Sequence, residues 1–156
     1  MGLGTEGLMQ TSKCGAFILY LLKQVGRPYR LGAETVPGRT PPRETDCSEL
    51  VQEGGRTATL TYVGDCPIEQ YDGAWKQWES ARDIPLNVAR ETIGALLFIQ
   101  NRGRYDRPMG IGHVGVVIAP GYVLHASSSR GRVVIDRIGS AWNLAAKIDE
   151  LYEAES

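Results

Sequence analysis

Cysteine is scarce in this chain, and it comes as an odd number: Cys14, Cys47 and Cys66. At least one thiol must stay free, and no two stand in a CxxC arrangement. Neither a disulfide framework nor a cysteine-built zinc site is expected. Two of the three could still pair in an oxidising compartment, and spacing does not choose which. Histidine is scarcer still, with only His113 and His125. An excess of either charge sign is also missing. The 17 basic and 18 acidic side chains leave a net charge of −1, so nucleic acid is not expected as a main partner. The arginines gather in two stretches (Arg102, Arg104, Arg107 and Arg130, Arg132, Arg137), which read as a solvated loop and a solvated strand face. Long apolar runs are absent as well. The longest near the start, Gly15 to Leu22, is far below the roughly 20 residues of a membrane span, so no membrane partner is expected. The amino terminus lacks a basic leader before an apolar stretch and does not read as a signal peptide. The expectation is a protein made in the cytoplasm that reaches its target by another route.

What is present fits one ordinary domain over residues 1–156, with a core at about 12–138. The 42% hydrophobic and 22% charged fractions are those of a globular chain. Residues 1–11 are glycine-rich and read as loose. A helix is predicted from Ser12, a good cap, to Val25, stopped by Gly26 and Pro28. Residues 32–44 read as a proline-rich loop. Asp46 caps a second helix that begins at Cys47, with Glu49 three residues on as in a capping box, and Gly54-Gly55 ends or bends it early. A third helix fits Ile68 to Ala81, closed by Pro85. The texture then changes to strands: Gly94 to Gln100, Val114 to Ala119, Tyr122 to Ala126 and Arg132 to Ile138. Their spacing fits an antiparallel meander. Ser140 to Glu153 reads as a terminal helix. Helices first and strands later make an α+β fold.

A free cysteine is commonly a small buried hydrophobe. Cys47 has a second reading. A thiol in the first turn of a helix faces unpaired N–H groups at the positive end of the dipole, which favours thiolate. A single histidine is commonly structural, but His113 and His125 flank one predicted hairpin, VGVVIAPGYVL, whose ends can meet. A thiol, an imidazole and a third group that orients the ring is the arrangement that activates a sulfur nucleophile.

Several blocks carry a family resemblance. Gly26-Arg27-Pro28-Tyr29-Arg30-Leu31-Gly32 resembles the G-x-P-Y-x-x-G element of NlpC/P60 peptidases. Thr45-Asp46-Cys47-Ser48-Glu49-Leu50-Val51 is similar to their D-C-S-G-L-V nucleophile motif, and Ile93 to Phe98 to their P-G-D-L-x-F approach to the sheet. Gly112-His113-Val114-Gly115 resembles the strand of the base, and Leu124-His125-Ala126-Ser127 the strand of the third residue. The blocks stand in the family's order.

The resemblance implies a papain-like fold, with N-terminal helices packed on a central antiparallel sheet. It implies Cys47 as nucleophile, His113 as general base and then acid, and His125 as the group that orients His113. It implies Tyr29 as a hydroxyl that meets the oxyanion, against a plain reading as a packed turn aromatic. No metal or organic cofactor is required. The implied substrate is the stem peptide of peptidoglycan, often cut between D-glutamate and the diamino acid. An amidase cutting at N-acetylmuramate, or an acyltransferase, would use the same pair. A non-catalytic wall-binding or tail protein would need none of these residues. Glu49, Ala33 and Ala95 depart from the family's glycines and aspartate, and Glu49 is expected to raise the thiol pKa. The divergence suggests a phage lysin acting on the wall, with a phage tail or secretion machine as partner.

Overall fold

A computed structural model describes residues 12–33, 44–58 and 73–153. Helix α1 (Lys13–Leu22) begins as expected. Ser12 is extended, and its hydroxyl accepts the Gly15 N–H at 2.8 Å. Phe17, Ile18 and Leu21 recur at helical spacing and are buried, giving α1 one apolar stripe.

Helix α2 (Cys47–Ala58) starts under the Asp46 cap, whose Oδ1 accepts the Glu49 N–H at 2.9 Å. It runs straight through Gly54-Gly55, where the sequence predicted an early end. A Cβ on Gly54 would lie 2.8 Å from Phe17 Cε1. The glycine therefore marks the close approach of α1 and α2. Their packing outweighs the propensity cost of glycine in a helix.

Helix α3 (Ala74–Ser80) is the carboxyl-terminal half of the helix predicted over 68–81; residues 59–72 lie outside the described residues, as do 1–11 and most of the predicted 32–44 loop. Ala81 ends α3. Pro85 instead opens a four-residue helix, α4 (Leu86–Ala89), that the sequence reading did not anticipate.

Six strands follow: β1 (Arg82–Asp83), β2 (Leu96–Gln100), β3 (Ile111–Ala119), β4 (Tyr122–Ser127), β5 (Arg132–Arg137) and β6 (Leu144–Lys147). They form one antiparallel sheet in the order β1-β6-β2-β3-β4-β5. The predicted meander is β2 to β5. The predicted terminal helix over 140–153 is wrong: the segment holds β6 and a 3₁₀ turn, Asp149–Tyr152. Ala145 and Ala146 pair with Leu97 and Leu96 and are buried. Sheet pairing along the otherwise open side of β2 overrides a locally helix-compatible stretch.

Strand alternation sorts the core into two layers. Leu96, Phe98, Val114, Val116 and Leu124 pack against α1 and α2. Leu97, Val117, Val123 and Ala145 face the other way, with Trp142 and Ala89.

The segment before α2 extends the sheet at β5. Gly26 N–H donates to Val133 O and Tyr29 N–H to Gly131 O, each at 2.9 Å, while Thr45 N–H returns to Pro28 O at 2.9 Å. Tyr29 is thereby fixed beside the start of α2. Arg27 anchors the same segment through Glu53 of α2, at 2.6 Å. Glu53 also accepts from Tyr20 OH at 2.9 Å.

Candidate active site

Asp46 ties two pieces of chain to the start of α2. Its Oδ1 caps α2, and its Oδ2 accepts the Gly32 N–H at 2.9 Å. Cys47 follows at the first turn, half-buried and carrying a free thiol. Its sulfur receives backbone N–H groups from Val114, Ser48 and Cys47 itself. The Val114 contact sets the thiol against β3, one residue from His113. Gly112, on the other side of His113, lines the same cleft of about 390 Å³ as Cys47, Tyr29 and Asp46.

Burial pushes the Cys47 thiol up to about 12, and the Asp46 carboxylate adds to this. The N–H donors work in the opposite direction and do not win. One expectation is thereby corrected. The helix start does not make a resting thiolate, because desolvation outweighs the donors. A carboxylate that opposes ionisation is that of Asp46, at the cap of the same helix.

His113, His125 and Asp136 stand on one face of three successive strands. His125 pairs with Val134, and Val123 with Asp136, so the carboxylate lies diagonally beside the ring. His113 Nε2 lies 2.8 Å from His125 Nδ1, and His125 Nε2 lies 2.8 Å from Asp136 Oδ2. Arg130 Nη2 closes the row on Asp136 Oδ1 at 2.7 Å. Burial works to raise the Asp136 carboxyl, but the hydrogen bonds from His125 and Arg130 hold it below its ordinary value.

An ionised carboxylate only accepts. His125 Nε2 therefore donates, and its Nδ1 accepts from His113 Nε2–H. His113 is left with an unprotonated Nδ1 that His125 does not use. Burial, then His125 and Arg104, push His113 down to about 3. Burial also lowers His125, against the pull of Asp136. Both rings are neutral at pH 7.

Trp142 holds the pair in place, with ring centroids 5.2 Å from His113 and 5.1 Å from His125. It reaches them because residue 115 is glycine. A Cβ there would lie 3.0 Å from Trp142 and 2.7 Å from Val123. On the cleft side, the Tyr105 ring covers Gly112, where any Cβ would overlap it.

The structure thus brings Tyr29, Cys47, His113 and His125 around adjoining clefts. Tyr29 is pushed up to about 12 by burial, then by Cys47, Asp46 and Tyr105, so its hydroxyl remains a donor. Sequence reasoning missed Asp136, Trp142 and Tyr105. Asp136 left a signal, since it breaks the apolar alternation of RVVIDRI on the face that carries His125. Trp142 was hidden inside the mistaken helix. Cys14 is no part of this site. Its thiol donates to Ile93 O at 3.5 Å, and neither residue lines the clefts. Cys66 lies outside the described residues.

Among the described residues no cluster of His, Cys, Asp or Glu could hold a metal ion. The NlpC/P60 family model matches residues 26–146. No curated protein sequence matches the chain. Several solved structures do. The P60 domain of the M. avium subspecies paratuberculosis antigen MAP1204 is 23% identical, with a TM-score of 0.64 over 87% of this chain and 94% of that one. The peptidoglycan hydrolase RipB of Mycobacterium tuberculosis is 21% identical, with a TM-score of 0.62 over 95% and 71%. RipD of the same organism, described as a non-catalytic domain adapted to peptidoglycan binding, is 16% identical, with a TM-score of 0.63 over 87% and 97%. At these identities the likeness concerns the fold, and the match across residues 26–146 establishes that this chain belongs to the NlpC/P60 family.

Proposed function

We propose that the chain is a cysteine peptidase that hydrolyses amide bonds in the stem peptides of peptidoglycan. The observation that carries this reading is the row His113–His125–Asp136 beside a thiol at a helix start. A wall-binding domain has no use for an imidazole whose tautomer is set by a second imidazole and a carboxylate.

At rest the thiol is protonated and His113 is neutral. When a scissile carbonyl enters, Cys47 passes its proton to His113 Nδ1 as the sulfur forms its bond to carbon. The carbonyl electron pair moves onto oxygen, where the Cys47 N–H and the Tyr29 hydroxyl are the candidate donors. Imidazolium His113 is steadied through His125 by Asp136, and it returns the proton to the leaving amine as the C–N bond breaks. Water then attacks the thioester, His113 takes its proton, and the thiol is restored. His125 and Asp136 act on His113 and do not touch the substrate.

The bond we favour joins D-glutamate to the diamino acid. The departures at Ala33, Glu49 and Ala95 favour a phage lysin as the setting, delivered with the virion or released at lysis. Product masses from a digest of purified peptidoglycan test the bond. A new amino terminus on the diamino acid supports the endopeptidase reading. Release of the whole stem from the muramoyl lactyl group makes the protein an amidase. The absence of soluble products favours a binding role like that described for RipD.

A further inference from the structure

The pair between Arg130 and Asp136 is too exposed to matter much for stability. The two side chains are 50% and 26% exposed, and pairs of that kind add little to a fold. Yet the turn between β4 and β5 that carries Arg130 is fixed at several points. Ser127, 5% exposed, accepts the Arg130 N–H on its hydroxyl at 3.2 Å and the Gly131 N–H on its carbonyl at 2.9 Å. Gly131 takes a φ of +73°, and its carbonyl accepts the Tyr29 N–H at 2.9 Å. Arg104, Arg107, Arg130 and Arg137 line one cleft of about 700 Å³, and Arg130 is the one paired with Asp136.

Asp136 divides its oxygens between two donors. Oδ1 takes Arg130 Nη2 at 2.7 Å, and Oδ2 takes His125 Nε2 at 2.8 Å. A proton added to the row at rest has two places to go. On His125 it sits at Nδ1, which then donates to His113 Nε2, and the His113 proton moves to its own Nδ1. On His113 it sits at Nδ1 directly. In both forms His113 Nδ1 carries a hydrogen and has no lone pair for the Cys47 proton. The row is a base only while each ring holds one proton.

The groups that face the row are few. His125 is lowered by burial, raised by Asp136 and lowered by Arg130. His113 is lowered by burial, then by His125 and Arg104. Trp142, packed on both rings, carries no charge. The one carboxylate in the row therefore orients His125 and also invites an extra proton. A fixed cation on its far oxygen leaves the first effect and opposes the second.

We propose that Arg130 is a positioning residue that clamps Asp136 and keeps the two imidazoles free of an extra proton, so that His113 Nδ1 stays able to accept one from Cys47. This rests on the peptidase reading above and names how that site is tuned to pH. Arg130 acts through Asp136 and His125 alone.

The test follows the ¹⁵N shifts of both rings against pH in the parent chain, Arg130→Gln and Arg130→Lys. Glutamine keeps an N–H for Asp136 and loses the charge, whereas lysine keeps the charge. The extra proton is expected to enter Arg130→Gln at a pH at least about half a unit above that of the parent. Arg130→Lys should follow the parent, and adding Asp136→Asn to Arg130→Gln should move the titration back down. Both single variants should melt with the parent at pH 7.5, because the pair is exposed. In wall hydrolysis the acid limb of kcat/KM should move up in Arg130→Gln by the same amount. Coincident ring titrations in the parent and Arg130→Gln overturn the proposal. So does a shift to lower pH, or one that Arg130→Lys reproduces in full. The ring titration needs no substrate. If the parent cuts no peptidoglycan, the peptidase reading falls while the titration still decides the role of Arg130.

Discussion

Acid should destabilise this protein through His113 in a measurable way. The ring has an ordinary pKa of 6.5 and is pushed down to about 3 in the fold, first by burial. Between those values the unfolded chain binds a proton that the folded chain refuses. Stability therefore rises with pH across that window, is fully present above 6.5, and is lost as pH falls toward 3. At pH 4.5 the loss relative to pH 7.5 works out at about 2–3 kcal/mol, with a limit of about 5 kcal/mol below pH 3. Other carboxylates and His125 also titrate, so the comparison is with His113→Gln. Glutamine can still donate to His125 Nδ1 but does not ionise. Urea unfolding at pH 7.5 and pH 4.5 measures both proteins. The variant is expected to lose about 2–3 kcal/mol less on acidification than the parent. Parallel losses in the two proteins would refute the claim that a neutral imidazole is buried at this position.

Three further outcomes follow from other parts of the structure. Asp136→Asn removes the carboxylate that fixes the His125 tautomer. It should lower kcat by at least about tenfold with little change in KM, and ¹⁵N shifts of His125 should report mixed tautomers; an unchanged kcat would remove Asp136 from the account. Gly54→Ala improves helix propensity by up to about 1 kcal/mol, yet its methyl meets the buried Phe17 ring and overpacking costs about 1–3 kcal/mol, so the melting temperature should fall, and a rise would contradict the packing argument. Arg27→Met removes the guanidinium from Glu53, 3% exposed, while Tyr20 OH still donates to it, and should cost about 3–5 kcal/mol in urea unfolding; a loss below about 1 kcal/mol would mean that the pair does not anchor Tyr29.

Much of this was legible in the sequence because the signals were local. Ser12 and Asp46 cap helices where oxygen side chains precede apolar spacing. VGVVIA and YVLHA read as strands because the turn residues Pro120-Gly121 separate two apolar runs. The thiol and both histidines were legible as a set through family order and the hairpin that joins the rings. What was missed depends on contacts distant in sequence. Gly54-Gly55 reads as a stop until Phe17 is seen packed against it. Residues 144–147 become a strand only because β2 offers an unpaired side. The protonation of Cys47 follows from the depth at which the helix start is buried, which no local pattern encodes. Asp136 gains meaning only when the β4–β5 register sets it beside His125. The arginines looked solvated because each is exposed on its own; that four of the six, Arg104, Arg107, Arg130 and Arg137, line one cleft is a property of the fold.

The central claim is that a Cys47 thioester forms and is resolved during wall hydrolysis. Purified peptidoglycan is incubated with the parent chain and with Cys47→Ala, and newly exposed amino groups are counted. The parent should release amines steadily, while the variant, with an unchanged melting curve, should stay at the level of wall alone. Equal amine release by the two proteins would contradict the account.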